Sequence, residues 1–198
     1  MTKIKMCGMC REQDIEYANT VLPEYVGYVF AKKSRRYISP ETAAKFTELL
    51  DERIIPVGVF VDEDIQSIAG LVNSGAIRVV QLHGNEDDDY ISALREQIDV
   101  PVIKAFKVRN TGDVEQAECS SADMILLDSG EGSGELFDHS FLKNIRREYF
   151  LAGGLSPENI RNVLEQLVPY AVDVSSGLET DGVKDLKKMQ SFAELVRS

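Results

Sequence analysis

Eight short apolar runs, each followed by a stretch of helical character, constrain this chain more than any other feature of its sequence. The runs are KIKMC (3–7), YVGYVF (25–30), IPVGVFV (55–61), IRVVQL (77–82), PVIKAF (101–106), DMILLD (123–128), EYFLAGG (148–154) and AVDVSS (171–176). Most are apolar at successive positions, not at alternate ones, which is the pattern of parallel strands buried on both faces. The segments between them open as helices do. In SPETAAKFTELL, Ser39 stands at the N-cap, Pro40 at the first helical position and an acid in the first turn. SPENIRNVLEQL repeats that opening from Ser156. DLKKMQSFAELVRS sets Leu186, Met189, Phe192, Ala193 and Val196 along one helical face. No Gly/Pro/Ser-rich linker interrupts the series. Eight β-then-α units in 198 residues predict a single-domain (β/α)8 TIM barrel over residues 1–198, near the lower limit of about 200 residues for that fold. A doubly wound open sheet is the alternative, since a miscount of one or two strands would leave the sheet unclosed.

The charge balance narrows the partners. With 33 acidic and 22 basic residues the formal net charge is −11, and such a surface repels nucleic acid and anionic membrane, both of which need a basic footprint. No apolar run approaches the roughly 18 to 20 residues needed to cross a bilayer. MTKIKMCGMC lacks the apolar core of a secretory signal, so a cytoplasmic location is expected. Three cysteines, Cys7, Cys10 and Cys119, are an odd and small number that argues for reduced thiols. Two histidines, His83 and His139, and no second close ligand pair beside Cys7 and Cys10 leave no basis for a metal site. NEDDDY (85–90) is expected to be a solvated first helical turn favoured by the helix dipole.

In a (β/α)8 barrel the residues that end strands and open the following loops face the active-site mouth. This rule brings forward Cys7, the loop after Phe30, Asp62, Gln81 with His83, Lys107, Asp128, Gly153 with Gly154, and Ser175 with Ser176 and Gly177. LAGGLSPENI and VDVSSGLET each run from a strand into glycine. Glycine lets backbone N–H groups approach a ligand, and a following helix start adds positive potential, so both suit an anion. Their place in units seven and eight, where such barrels frequently hold a phosphate, favours a phosphate site over two tight turns. Cys7 is a candidate base or nucleophile, with a small buried hydrophobe as the plain alternative. Asp128 ends a buried strand and suits general acid–base work; deep placement would keep it protonated. KKSRRY (32–37), basic in an acidic chain, suits an anion contact or an ordinary solvated loop. An aldolase would draw its Schiff-base lysine from Lys104 or Lys107, and a thiol oxidoreductase would use Cys7 with Cys10.

Taken in order, KMCGM, GYVFAKKSRRYISPE, VGVFV, VQLHG, LLD, GSGELFD, LAGGLSPENI and VDVSSGLE..G.KD resemble the phosphoribosylanthranilate isomerases over nearly the whole chain. The resemblance implies an Amadori rearrangement of N-(5-phosphoribosyl)anthranilate in tryptophan biosynthesis, needing no cofactor. It implies Cys7 as general base, Asp128 as general acid and Arg36 on the anthranilate carboxylate. Backbone groups around Gly153, Gly154, Ser175, Ser176 and Gly177 would hold the ribose phosphate. The partner it implies is this anionic phosphosugar, with the protein a monomer or homodimer. Cys10 stands where the family usually has threonine. The loop SGEGSGELFDHSF looks short, with Glu135 where lysine and His139 where tryptophan are common.

Overall fold

All eight expected strands form, with trimmed ends. The computed structural model describes residues 1–128, 139–142 and 145–198. The strands are β1 (Lys3–Cys7), β2 (Tyr25–Val29), β3 (Ile55–Phe60), β4 (Val79–Leu82), β5 (Val102–Lys107), β6 (Met124–Asp128), β7 (Tyr149–Ala152) and β8 (Ala171–Val174). They pair in chain order, all parallel, and β8 returns to β1 from Lys3↔Ala171 to Met6↔Val174. Closure rules out the open sheet. β7 stops two residues short of the expected run because Gly153 (φ 102°) and Gly154 (φ 60°) turn into the left-handed region, which glycine enters without steric cost.

Side chains alternate across each strand, and the two faces build two cores. Outward residues such as Ile4, Met6, Val26, Tyr28 and Phe60 pack under the helices. Inward residues such as Val57, Val79, Ile103, Leu126 and Phe150 fill the barrel itself. Its lower end is plugged by aromatics: Tyr25 and Tyr170 both lie against Phe150, with ring centroids 5.5 and 5.6 Å away. Lys3 Nζ donates to the Tyr170 hydroxyl at 2.6 Å.

The outer layer comprises α1 (Glu12–Val21), α2 (Pro40–Leu49), α3 (Ile65–Asn73), α4 (Asp88–Arg95), α5 (Thr111–Cys119), α6 (Ile160–Leu164) and α7 (Leu186–Arg197). α2 begins as expected, with Ser39 accepting from the Thr42 N–H. α7 buries Met189, Phe192, Ala193 and Val196 from the expected face. Three expectations need correction. α6 does not start after Ser156: residues 157–159 make a turn, the Asn159 side chain accepts from Ser156 N–H and donates to Gly154 O, and only five residues are α-helical. Between β6 and β7 the described residues hold a single 3₁₀ turn, His139–Leu142, in place of a helix. The expectations about positions 129–138 of the loop after Asp128, Glu135 among them, fall on residues outside those described.

The third correction concerns NEDDDY. Asp87 caps α4 through the Tyr90 N–H, and Asp88 sits in the first turn, both as expected. Glu86 is instead buried, its carboxylate accepting from Asp62 N–H at 2.8 Å, Gly84 N–H at 2.9 Å and Lys104 Nζ at 2.9 Å. Lys104 also donates to Gly84 O at 2.7 Å. Glu86 thereby ties the loops after β3 and β4 together, with Lys104 of β5 as its counter-ion. Removing one partner of a buried ion pair strands the other charge, so Glu86→Ala is expected to lower unfolding free energy by roughly 3–5 kcal/mol, measured by urea denaturation.

Candidate active site

The strand ends converge on one cavity of about 390 Å³ at the upper mouth. Cys7 from β1, Arg36 from the loop after β2, Asp128 from β6, Gly153 and Gly154 after β7, and Ser175 and Ser176 after β8 all line it. The mouth rule thus brings seven of the expected site residues together. Gly177 does not line the cavity. It packs against the β7 loop so tightly that a Cβ there would lie 2.0 Å from Leu155 O, which makes it the seam between the two glycine-bearing loops.

Cys7 points into the barrel beside Gly27 of β2, where a Cβ would come within 2.6 Å of the thiol sulfur. Burial pushes the Cys7 thiol above its ordinary value; Lys5 pulls it down, Asp173 pushes it up and Lys184 pulls it down. Lys5 and Asp173 were absent from the sequence-derived site. Lys5 is fully buried, and its Nζ reaches both Asp173 carboxylate oxygens at 2.9 and 3.0 Å. A charged residue flanked on both sides by apolar ones within a strand (Ile4–Lys5–Met6 and Val172–Asp173–Val174) was the available signal, since such a group is retained only with a partner.

Across the mouth, Asp128 Oδ2 lies 3.6 Å from His83 Nε2. The other imidazole nitrogen, Nδ1, is 3.0 Å from Gln81 Nε2, and Gln81 is buried. The ring is therefore oriented from the barrel side. Lys104 and Lys107 line a different cleft, between α4 and α5, and Lys104 is committed to Glu86, so neither supports the aldolase reading. Cys10 lies outside the cavity lining; its N–H is held by Asp14 Oδ2 and its side chain packs against the outer core. That placement sets it apart from Cys7, which lines the cavity.

Arg36 reaches the cavity with its guanidinium already engaged. Its Nε donates to Glu179 Oε1 at 2.6 Å and its Nη2 to Oε2 at 3.0 Å. Arg35 Nη2 lies 2.5 Å from Oε2 and Lys184 Nζ 2.9 Å from Oε1. Glu179 and Lys184 sit on a hairpin after β8, formed by β9 (Glu179–Thr180) and β10 (Val183–Lys184). Asp181 and Gly182 link them with positive φ at both positions, as a two-residue type I′ turn requires. This clamp was also missed, because Arg36 and Glu179 lie 143 residues apart in sequence.

A closed parallel barrel that gathers its ionisable groups at one mouth defines the class: a (β/α)8-barrel enzyme. The family is narrower. The family model of N-(5'phosphoribosyl)anthranilate (PRA) isomerase matches residues 4–195, and the chain belongs to that family. It is 44% identical to N-(5'-phosphoribosyl)anthranilate isomerase of Endomicrobium trichonymphae, with all of both chains covered. It superposes on phosphoribosyl anthranilate isomerase from Thermotoga maritima with a TM-score of 0.91 at 36% identity, covering 100% of this chain and 99% of that one. A phosphoribosyl anthranilate isomerase in complex with reduced 1-(o-carboxyphenylamino)-1-deoxyribulose 5-phosphate matches with a TM-score of 0.87 at 35% identity, covering 100% and 99%. This protein is therefore an isomerase of tryptophan biosynthesis.

The clamp makes the site sensitive to acid. Burial opposes ionisation of Glu179, but Arg36 and Lys184 outweigh it and hold the carboxyl below its ordinary 4.5. Burial pulls Lys184 below 10.5 in spite of Glu179, because one carboxylate is divided among three cations. A carboxylate depressed in the folded state adds stability that is present above its unfolded pKa and lost as pH falls through the folded value. Wild type is expected to lose this contribution below about pH 4.5. A series of urea unfolding curves should show a shallower acid decline for Glu179→Gln.

Proposed function

We propose that this mouth carries out the Amadori rearrangement of N-(5-phosphoribosyl)anthranilate to 1-(2-carboxyphenylamino)-1-deoxyribulose 5-phosphate, with Asp128 as general acid and Cys7 as general base. The observation that carries the reading is the joint lining of one cavity by a thiol, a carboxylate, an arginine and two glycine-bearing loops. An aldose–ketose isomerisation on a phosphorylated sugar needs an acid, a base and an anion anchor, and little else.

Asp128 gives its proton to the furanose ring oxygen while the substrate nitrogen pushes its lone pair toward C1. The C1–O bond breaks and a protonated Schiff base forms. The Cys7 thiolate then takes the proton from C2, and the C2–H electron pair moves into the C1–C2 bond as the iminium nitrogen recovers its lone pair. The resulting enolamine tautomerises to the ketone. The substrate's own nitrogen is the electron sink, so the chemistry asks for no cofactor.

Backbone N–H groups of Gly153 and Gly154, with the Ser175 and Ser176 region, serve the phosphate, and Gly177 holds those two loops in contact. Arginine carries five N–H donors. Two of those on Arg36 are given to Glu179, and the others serve the anthranilate carboxylate. Glu179 then fixes the guanidinium before substrate arrives, which lowers the ordering needed on binding.

Loss of anthranilate fluorescence on mixing phosphoribosylanthranilate with enzyme measures turnover directly. Cys7→Ser and Asp128→Asn are each expected to lower kcat by about 10²–10⁴-fold, whereas Cys10→Ser stays active. Folded wild type that leaves the fluorescence unchanged, or Cys7→Ser with full activity, would overturn the assignment.

A further inference from the structure

The electrostatic neighbourhood of Cys7 contains a group that the reaction scheme above does not use. Among the described residues, four elements supply the immediate surroundings of the thiol. β1 contributes Lys5, two residues earlier on the same strand and hence on the same inward face. β8 contributes Asp173, and beyond its end Ser175, whose hydroxyl donates to Cys7 O at 3.0 Å. β10 contributes Lys184, which donates to Ser175 O and Glu179. β2 contributes only Gly27, which has no charge and no side chain.

Lys5 is the unusual member. It is wholly buried inside the barrel, where an unpaired ammonium would discharge. Asp173 prevents this. The β1–β8 register puts Lys5 directly opposite Asp173, and the ammonium donates to both carboxylate oxygens. Although burial alone would lower it, Asp173 and Cys7 together raise the Lys5 ammonium above its ordinary 10.5. A lysine held in that state cannot take a proton from substrate and is a fixed positive charge. An ammonium has three donors. With two on Asp173, the ammonium stays on the same inward face of β1 as Cys7, and the two groups interact electrostatically.

We propose that Lys5 is a positioning residue for the isomerisation: its ammonium, locked to Asp173, is the counter-charge that lets the Cys7 thiol release its proton inside the barrel. Without Lys5, a thiolate formed there would face burial and the Asp173 carboxylate, with Lys184 already shared with Glu179. Asp173 has two opposed effects, keeping Lys5 charged while repelling the thiolate. The catalytic consequence rests on Cys7 being the base, whereas the electrostatic claim does not.

The test is the pH dependence of Cys7 alkylation by iodoacetamide in a Cys10→Ser/Cys119→Ser background, followed by mass. Lys5→Gln is expected to move the midpoint upward by a pH unit or more, which at neutral pH slows alkylation about tenfold. The same variant lowers kcat and leaves KM near wild type. Asp173→Asn, an isosteric change, removes the partner that keeps Lys5 charged and is expected to move the midpoint upward as well. If Lys5→Gln does not fold, the double variant Lys5→Gln/Asp173→Asn leaves no unpaired charge and is still expected above wild type, because Lys5 outweighs Asp173 at the thiol. A midpoint unchanged from wild type in the folded variants would overturn the proposal. Full activity of Cys7→Ser would overturn the base assignment and leave the alkylation result standing.

Discussion

Closure of the barrel between β8 and β1 is the constraint on which the site depends. The two strands belong to opposite ends of the chain, and their ladder aligns Lys5 with Asp173 and Met6 with Val174. Sequence-distant charges are thereby brought to hydrogen-bond distance inside a low-dielectric interior, where a pair interacts more strongly than it would in water. The same ladder sets Cys7 one pleat above the pair, at the mouth. A slip of one residue would turn Lys5 outward and remove both the charge and the thiol from the cavity.

Electrostatics at this mouth run against the character of the whole protein. The chain carries a net charge of −11, yet Lys5, Arg35, Arg36 and Lys184 collect around two carboxylates, Asp173 and Glu179. Among the described residues these four cations outnumber the two anions they contact, with Asp128 across the mouth as a third carboxylate. Such a local arrangement suits a small anionic substrate on a chain that is acidic overall. The hairpin β9–β10 makes this possible, because it returns Glu179 and Lys184 across the mouth after β8 has ended.

Much of the fold was legible in the sequence because buried parallel strands and capped helices leave local signatures. Successive apolar residues marked the strands, and Ser39–Pro40 marked the start of α2. Where local signals misled, the cause was tertiary. Ser156 reads as a helix cap, but Asn159 turns back onto Gly154 and Ser156, and the helix starts later. Glu86 reads as one more solvated acid, and only the approach of Lys104 and the loop amides makes it a buried one. In the site, Cys7, Asp128, Gly153, Gly154, Ser175 and Ser176 were legible because strand ends face the mouth. Glu179 was not, because nothing local to it indicates which arginine it will meet.

The sequence by itself determined the alternation of strand and helix, the strand ends that carry reactive groups, and the glycines where the chain turns at the mouth. These depend on interactions within a few residues of one another, so they are written in local order. Only the tertiary structure decided the pairing of Lys5 with Asp173, the three-cation clamp on Glu179 and the use of Gly177 as a seam instead of a lining. Each of those joins elements far apart in the chain, and its energy exists only once the barrel has closed and water has been excluded from between the charges.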